Sequence, residues 1–512
     1  MSKYFIGIDS GTTSIKAVLF DLQGNELGKE AYPLTAICPR EDMYEEDMHE
    51  IWDKAVMCVR MLAQRFPKDE IAGIGVTAQG DGLWLIDEAG EPVRPGMCFC
   101  DGRASEFVDM WVEDGTCDQL FRCTGTRIFT GNQNGIVRWM DKYEKESLDK
   151  SRYFLHLKDY LFYKLTGKIT SDASDQSLVM LDQIKHDYLD RAFELTGIAK
   201  YRQKYPPVLP ASENAFPLSK QAAELMGLST DVIVTSGPMD VAACALGSGV
   251  IENGHCCSII GTAALHEMCI DDPLKDNIMA GMTVAHVMED RWLRLMASLA
   301  GTPNLEWMLD TMGHGVREAA KKAGQSVYTY MEELVKTVPI GSNGIMYHPY
   351  ILSGGERAPF TDSRARGSFT GISSRNTSAD IVRATYEGVT FAMLDCYQNM
   401  PQEVRSVTVC GGGANSEAWC QMFADALGTK IVTVAGEELG ALGVVINNAV
   451  VQGYYDSYKT AVDSIVKVRK TYEPDMAKHD KYMRYYELYR LTREQLSKTW
   501  KLRAELIRED LN

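Results

Sequence analysis

The sequence predicts an α/β protein of two domains raised on one duplicated plan. Three observations carry this. The chain has 512 residues, enough for two or more domains with a cleft between them. Its first 77 residues read strand, strand, strand, helix, strand, with an antiparallel start and a parallel addition, which is not a simple dinucleotide-binding pattern. A degenerate version of the opening hairpin then recurs near residue 255.

Residues 4–8 (YFIGI) read as a buried strand and 15–20 (IKAVLF) as its hairpin partner. The turn Asp21-Leu22-Gln23-Gly24 leads to a third strand. A helix is predicted over 49–66, because Ile51, Trp52, Ala55, Val56, Val59 and Leu62 share one face. The strand IAGIGVT follows at 71–77. Later, VIVT (232–235) precedes SGPMDVAACALGSG, and HCCSIIGTAALHEMCI gives an apolar run, a Gly-Thr turn and a second apolar run. Residues 407–428 read as strand, glycine turn and a helix starting near Asn415. Residues 474–508 form a polar helix whose stripe of Tyr482, Tyr485, Tyr489, Leu496 and Trp500 is expected to pack on the body. The expected division is 1–245, 246–455 and a helical tail over 456–512.

Lys plus Arg total 53 against 70 Asp plus Glu, a formal net charge of −17. With no long basic block, nucleic acid and anionic membranes are excluded as main partners. No apolar stretch approaches the roughly 20 residues that span a bilayer, and no secretory signal is expected. The close pairs among 13 cysteines, Cys98 with Cys100 and Cys256 with Cys257, lack zinc-site spacing. Reduced, mostly buried thiols and a cytoplasmic setting are expected.

The stretch IGIDSGTTSIKAVLFD carries the first chemistry. A Walker A loop needs G-x-x-x-x-G-K-[ST] and a following helix; here Gly11 is followed by Thr12, Thr13, Ser14, Ile15 and Lys16, then a strand. A glycine-hydroxyl turn between strands still cradles phosphate through the Thr12 and Thr13 N–H groups. Asp9 at the strand end suits Mg²⁺, and Lys16 suits phosphate charge. CGGGANSEAW (410–419) gives a flat glycine surface and a helix N-terminus for a nucleotide. Asp240, between a strand and a small-residue helix, suits a general base, an N-cap, or both. GVTAQGDGLWLID (75–87) offers Gln79 and Asp81, flanked by Gly80 and Gly82, as exposed loop residues for a polyhydroxyl ligand, with Asp101 and Arg103 in FCDGRA downstream.

These stretches in this order resemble the FGGY family of carbohydrate kinases over about residues 4–450. The matching segments are GIDSGTTSIKAVLFD, KDYLFYKLTG (158–167), IIGTAALH (259–266), GERAPFTDSRARGSFTGI, RATYEGVTFAML (383–394) and GGGANSEAWCQMFADALG. The resemblance implies two actin-like, ribonuclease-H-like domains with ATP and Mg²⁺ in the cleft. It makes the first hairpin (Asp9, Gly11, Thr12, Thr13, Ser14, Lys16) and the second (Gly261, Thr262) two jaws on the phosphates. It sets Gly412, Gly413 and Asn415, with Gly301 and Asn304, beside adenosine, and makes Asp240 both the base and a metal neighbour. Ile136 stands about where the family carries a lysine, and Gly80-Asp81 replaces the Met-His pair of xylulose-kinase-like members. AQGDGLWLID and YHPYILSGGERAPF look like erythritol kinases, and NLEWM (304–308) like L-xylulose kinases. The implied partner is a small linear polyol or ketose; D-xylulose, ribulose, gluconate and glycerol are alternatives, and a homodimer is the candidate assembly. An actin-like ATPase without kinase activity is the competing class.

Overall fold

The apolar opening builds a three-stranded antiparallel start: β1 (Tyr4–Ser10), β2 (Ser14–Asp21) and β3 (Glu26–Pro33). β1 and β2 are buried on both faces, whereas β3, rich in charge and ending in proline, is a protected edge. Helix α1 (Met48–Arg65), capped by Asp47, buries the predicted face and returns the chain to β4 (Ile71–Ala78), which adds parallel to β1. Helix α2 (Leu157–Thr166), strand β5 (Ala215–Pro217) and strand β6 (Ile233–Ser236) complete a sheet of order β5-β6-β4-β1-β2-β3. The computed structural model describes residues 3–275, 278–352 and 354–510.

Helix α3 (Asp240–Gly247) leads to the second sheet. Its strands are β7 (His255–Ile260), β8 (Ala264–Ile270), β9 (Met282–Ala285) and β10 (Trp292–Ser298). Helices α4 (Pro303–Thr311) and α5 (Ser378–Gln398) precede β11 (Ser406–Cys410), α6 (Glu417–Leu427) and β12 (Lys430–Val434). Helix α7 (Leu439–Val451) and the edge strand β13 (Val468–Tyr472) follow, giving the order β9-β10-β8-β7-β11-β12-β13. The two sheets repeat one plan: an antiparallel hairpin extended by a third antiparallel strand, two parallel additions and an antiparallel edge. This is the actin-like, ribonuclease-H-like architecture that the sequence predicts. Strand β13 lies ahead of the final helix and went unforeseen, because its exposed Val468-Arg469-Lys470-Thr471 carries no apolar alternation.

The helices α3 and α7 join the halves. Glycines in β1 and β4 let α7 lie directly on the first sheet: a Cβ on Gly7 would sit 2.3 Å from the Ala441 carbonyl oxygen, and one on Gly75 2.4 Å from that of Val444. Asn448 Nδ2 donates to Ile74 O at 3.0 Å and Ile233 O at 3.1 Å. A shared core runs from Phe5 and Val18 through Ala242, Leu442 and Val445 to Leu293 and Leu295 of the second sheet.

Helix α8 (Met476–Asp510) packs on α5, as its aromatic stripe predicts. Tyr482, Tyr489 and Trp500 are buried, and Tyr485 and Leu496 are partly so. The Tyr486 hydroxyl donates to Asp395 at 2.7 Å, and His348 Nε2 contacts Tyr489 O at 3.0 Å. Among the described residues no helix is long and apolar enough to cross a membrane.

Candidate active site

The first turn closes when Gly11 N–H donates to Ser14 O at 3.0 Å, while Thr13 O accepts from Leu34 N–H at 2.9 Å. Among the described residues the Thr12 and Thr13 N–H groups have no partner within the chain, so they remain the turn's donors. Lys16 Nζ lies 2.6 Å from Glu438 Oε2 and 3.4 Å from Asp9 Oδ2. Burial opposes its charge, but the Asp9 and Glu438 carboxylates outweigh this and hold the pKa above the lysine value. The lysine is thus neutralised inside the protein, and Glu438, at the head of α7, also holds Lys29 at 2.9 Å.

The second turn is one residue shorter: β7 and β8 pair up to Ile260 with Ala264, whereas β1 and β2 pair up to Ser10 with Ile15. Gly261 N–H donates to Ala263 O at 3.0 Å, and Gly261 O accepts from Thr302 N–H at 2.8 Å. Gly301 rides on this turn; a Cβ there would lie 2.4 Å from the carbonyl oxygens of both Gly261 and Thr262. Gly413 packs on Ile260, and Gly412 lies between Ile260 and Thr302, so Gly261, Thr262, Gly301, Gly412 and Gly413 form one continuous backbone surface. Asn304 is buried behind it, with Nδ2 on Gly301 O at 3.0 Å and Oδ1 accepting from the Tyr347 hydroxyl at 2.6 Å; it props the turn. The helix after the glycines starts at Glu417, capped by Ser416, two residues beyond the predicted Asn415. Asn415 is exposed in a single 3₁₀ turn, Gly412–Asn415.

Asp240 is the first residue of α3, and its Oδ1 accepts from Val241 N–H at 2.8 Å. It therefore satisfies a first-turn donor, and the Gly80 N–H also acts on its carboxylate. Burial is the main cause that pushes its pKa up to about 7, with the charge of Asp9 next. Burial likewise raises Asp9, against the opposing Lys16. Both carboxylates are only partly buried, one from the end of β1 and one from the start of α3.

Gln79 and Asp81 are buried, 2% and 4% exposed, rather than on an open loop. The segment after β4 folds over the strand end: Gln79 Nε2 donates to Glu46 at 2.9 Å, and Asn132 donates to Asp81. Asp81 takes a positive φ of 58°, a conformation its short polar side chain tolerates. Burial pushes its pKa up to about 7, partly offset by Asn132 and His156. Gly80 packs on Met239, and a Cβ there would meet its methyl carbon at 2.3 Å. Asp101 and Arg103 bind one another through Arg103 Nε and Nη2, each 2.7 Å from a carboxylate oxygen, and Arg103 also reaches Glu45 at 2.5 Å. Those two are buried and mutually engaged, so they brace the wall and do not present free groups.

A buried charge cluster went unforeseen. Lys158, fully buried, holds Asp172, Asp175 at 3.0 Å and Asp159 at 3.4 Å, with Ser236 Oγ at 2.9 Å. Asp175 is pushed up to about 6 by burial, against Lys158, and contributes to the rise at both Asp81 and Asp240. The dense Ser/Asp run SDASDQS was the available signal. Two other matching motifs serve the frame. Glu356 accepts from Ser298 Oγ and Leu299 N–H at 2.9 Å each, and Glu387 from Arg383 Nε at 2.8 Å. Ser353 of the same loop lies outside the described residues. A cleft of about 1220 Å³ beside the site, lined by Ser174, His186, Pro207, Pro238 and Met288, contains neither Asp9 nor Asp240. Ile136 is fully buried in apolar packing.

A duplicated actin-like fold with a glycine turn in each half and the partly buried Asp9 and Asp240 suits a nucleotide-phosphate cleft, which a phosphotransferase and an actin-like ATPase share. The model of the FGGY family of carbohydrate kinases matches in both parts, the N-terminal domain over residues 4–247 and the C-terminal domain over 256–451. The erythritol kinase of Brucella abortus (strain 2308) is 29% identical over 504 residues, 97% of this chain and 96% of that protein. The L-xylulose/3-keto-L-gulonate kinase of Escherichia coli (strain K12) is 28% identical over 496 residues, 96% of each. A ligand-bound xylulose kinase from Lactobacillus acidophilus superposes with a TM-score of 0.90 at 22% identity, over 98% of this chain and 99% of that one. The chain belongs to the FGGY family of carbohydrate kinases. It is a carbohydrate kinase with ATP as its phosphoryl donor.

Proposed function

We propose that the acceptor is a small linear polyol or ketose, first an erythritol-like polyol or an L-xylulose-type pentulose. The observation that carries the reading is the partly exposed Asp240 carboxylate at the head of α3, where the charge of Asp9 is felt, next to the enclosed polar nest around Asp81. The names of the two relatives point the same way. Asp240 accepts the proton of the acceptor hydroxyl as its oxygen attacks the γ-phosphorus, and the bond to the ADP oxygen breaks. Gly11, Thr12, Thr13 and Ser14 hold the phosphates from one side and Gly261 and Thr262 from the other, through backbone and hydroxyl donors. Lys16 joins them when phosphate competes with Glu438. Gly301, Gly412, Gly413 and Asn415 form the bed for adenosine, with Asn304 behind. Gln79, Gly80 and Asp81 face the acceptor, and Asp101 and Arg103 keep that wall in place.

The residues fit Mg²⁺. The charge of Asp9 raises Asp240, and that of Glu438 raises Asp9; a divalent cation relieves such repulsion, and Asp9 and Asp240 would hold it. When bound, Mg²⁺ supplies charge compensation for the phosphates. The division into 1–245, 246–455 and 456–512, a homodimer and a cytoplasmic setting belong to the same proposal.

A coupled ADP-release assay over tetritols, pentuloses, hexuloses and their acids tests the acceptor class. Expected is acceptor-dependent ADP formation with at least one tetritol or pentulose. Turnover confined to hexuloses or acids, or ADP release indifferent to every acceptor, would overturn it.

A further inference from the structure

We infer that Cys244, Cys257 and Cys410, with Glu267, form a site for one thiophilic d¹⁰ cation of the zinc, cadmium and copper(I) class at the junction of the two halves. This rests on a cluster that the phosphoryl-transfer chemistry does not use. Cys244 lies one helical turn after Asp240 on α3. Cys257 is on β7, the strand that runs into the Gly261 turn, and Cys410 ends β11 just before the glycine bed. Their sulfurs all lie within 4.8 Å of one another, with Cys257 and Cys410 at 3.8 Å. Zinc–sulfur bonds of about 2.3 Å at tetrahedral angles set sulfurs about 3.8 Å apart.

Glu267 is the second observation. It stands directly opposite Cys257 in the β7–β8 pairing. It is 0% exposed, and among the described residues neither carboxyl oxygen has a hydrogen-bond partner. A carboxyl group in that state costs free energy that apolar packing of thiols does not repay. The three sulfurs supply three donors; Glu267, which does not share their 4.8 Å cluster, turns its side chain toward them to supply the fourth. Cys244 is only partly buried and gives the cation a path in. The other close set among the described residues, His156, Asp159 and Asp175, already holds the ammonium of Lys158 between its carboxylates. On binding, each thiol loses its proton to water as its sulfur–metal bond forms, and no electron is transferred.

The test uses the full chain, reduced, with exposed Cys38 and Cys100 replaced by serine to silence surface thiols. Titration with Cd²⁺ is followed by the thiolate-to-metal charge-transfer absorption and by equilibrium dialysis. One Cd²⁺ per chain with a charge-transfer band is expected. Cys257→Ser and Cys410→Ser abolish the band. Cys244→Ser, at a partly exposed position that tolerates change, and Glu267→Gln each weaken binding about tenfold or more. Circular dichroism of each variant separates loss of site from loss of fold. The inference is overturned if the parent shows no band, or if folded Cys244→Ser and Glu267→Gln bind Cd²⁺ as tightly as the parent.

Discussion

At the scale of single residues, Asp240 is held where a carboxylate is hard to ionise. Its folded pKa of about 7 stands above the ordinary 3.8. Between those values the folded chain binds more protons than the unfolded one, so stability falls as pH rises through that window. In chelator and without nucleotide, Asp240→Asn should therefore raise stability at pH 8 by about 1–3 kcal/mol, with the gain vanishing near pH 4. Denaturant melts at both pH values check this. The placement of Asp9, Gly11, Asp240 and Gly261 at turns and element ends was legible in the sequence, because glycine and carboxylate mark such places. Lys158, Asp172 and Asp175 were not, since a buried lysine is recognised only once its three carboxylate partners are brought around it. Gln79 and Asp81 were read as exposed; their partners Glu46 and Asn132 lie far away in sequence.

At the scale of elements, glycine sets how closely backbones meet. Gly75→Ala would drive a methyl into α7 and should destabilise the fold by about 1–3 kcal/mol or more, read as a fall in the urea midpoint. Gly301→Ala would push the second turn by its carbonyls. ATP binding should weaken at least several-fold by calorimetry while the melting temperature changes little. The strand–turn–strand units were legible from alternating apolar runs. The one-residue difference between the two turns was not, because register is fixed by pairing across the sheet. The start of α6 at Glu417 rather than Asn415 reflects Ser416, a better cap, which accepts from Trp419 N–H.

At the scale of the whole molecule, two sheets of one design meet through α3 and α7, and α8 straps the second. Removing residues 476–512 would strip the buried partners of Asp395, Arg383 and Tyr350. The truncated chain should lose cooperative unfolding or precipitate, and a calorimetric scan reports either. The duplication was legible as a weak echo of the first hairpin near residue 255. Edge strand β13 was not, since its exposed face has no apolar rhythm. The central claim is that Asp240 takes the acceptor proton at a nucleotide site built by other groups. The most direct measurement is Asp240→Asn assayed twice, for ATP binding by calorimetry and for phosphoryl transfer to an accepted polyol or ketose. Binding within about threefold of the parent, with transfer reduced at least about 10³-fold, is the predicted result. Transfer retained at near-parent rates would contradict it.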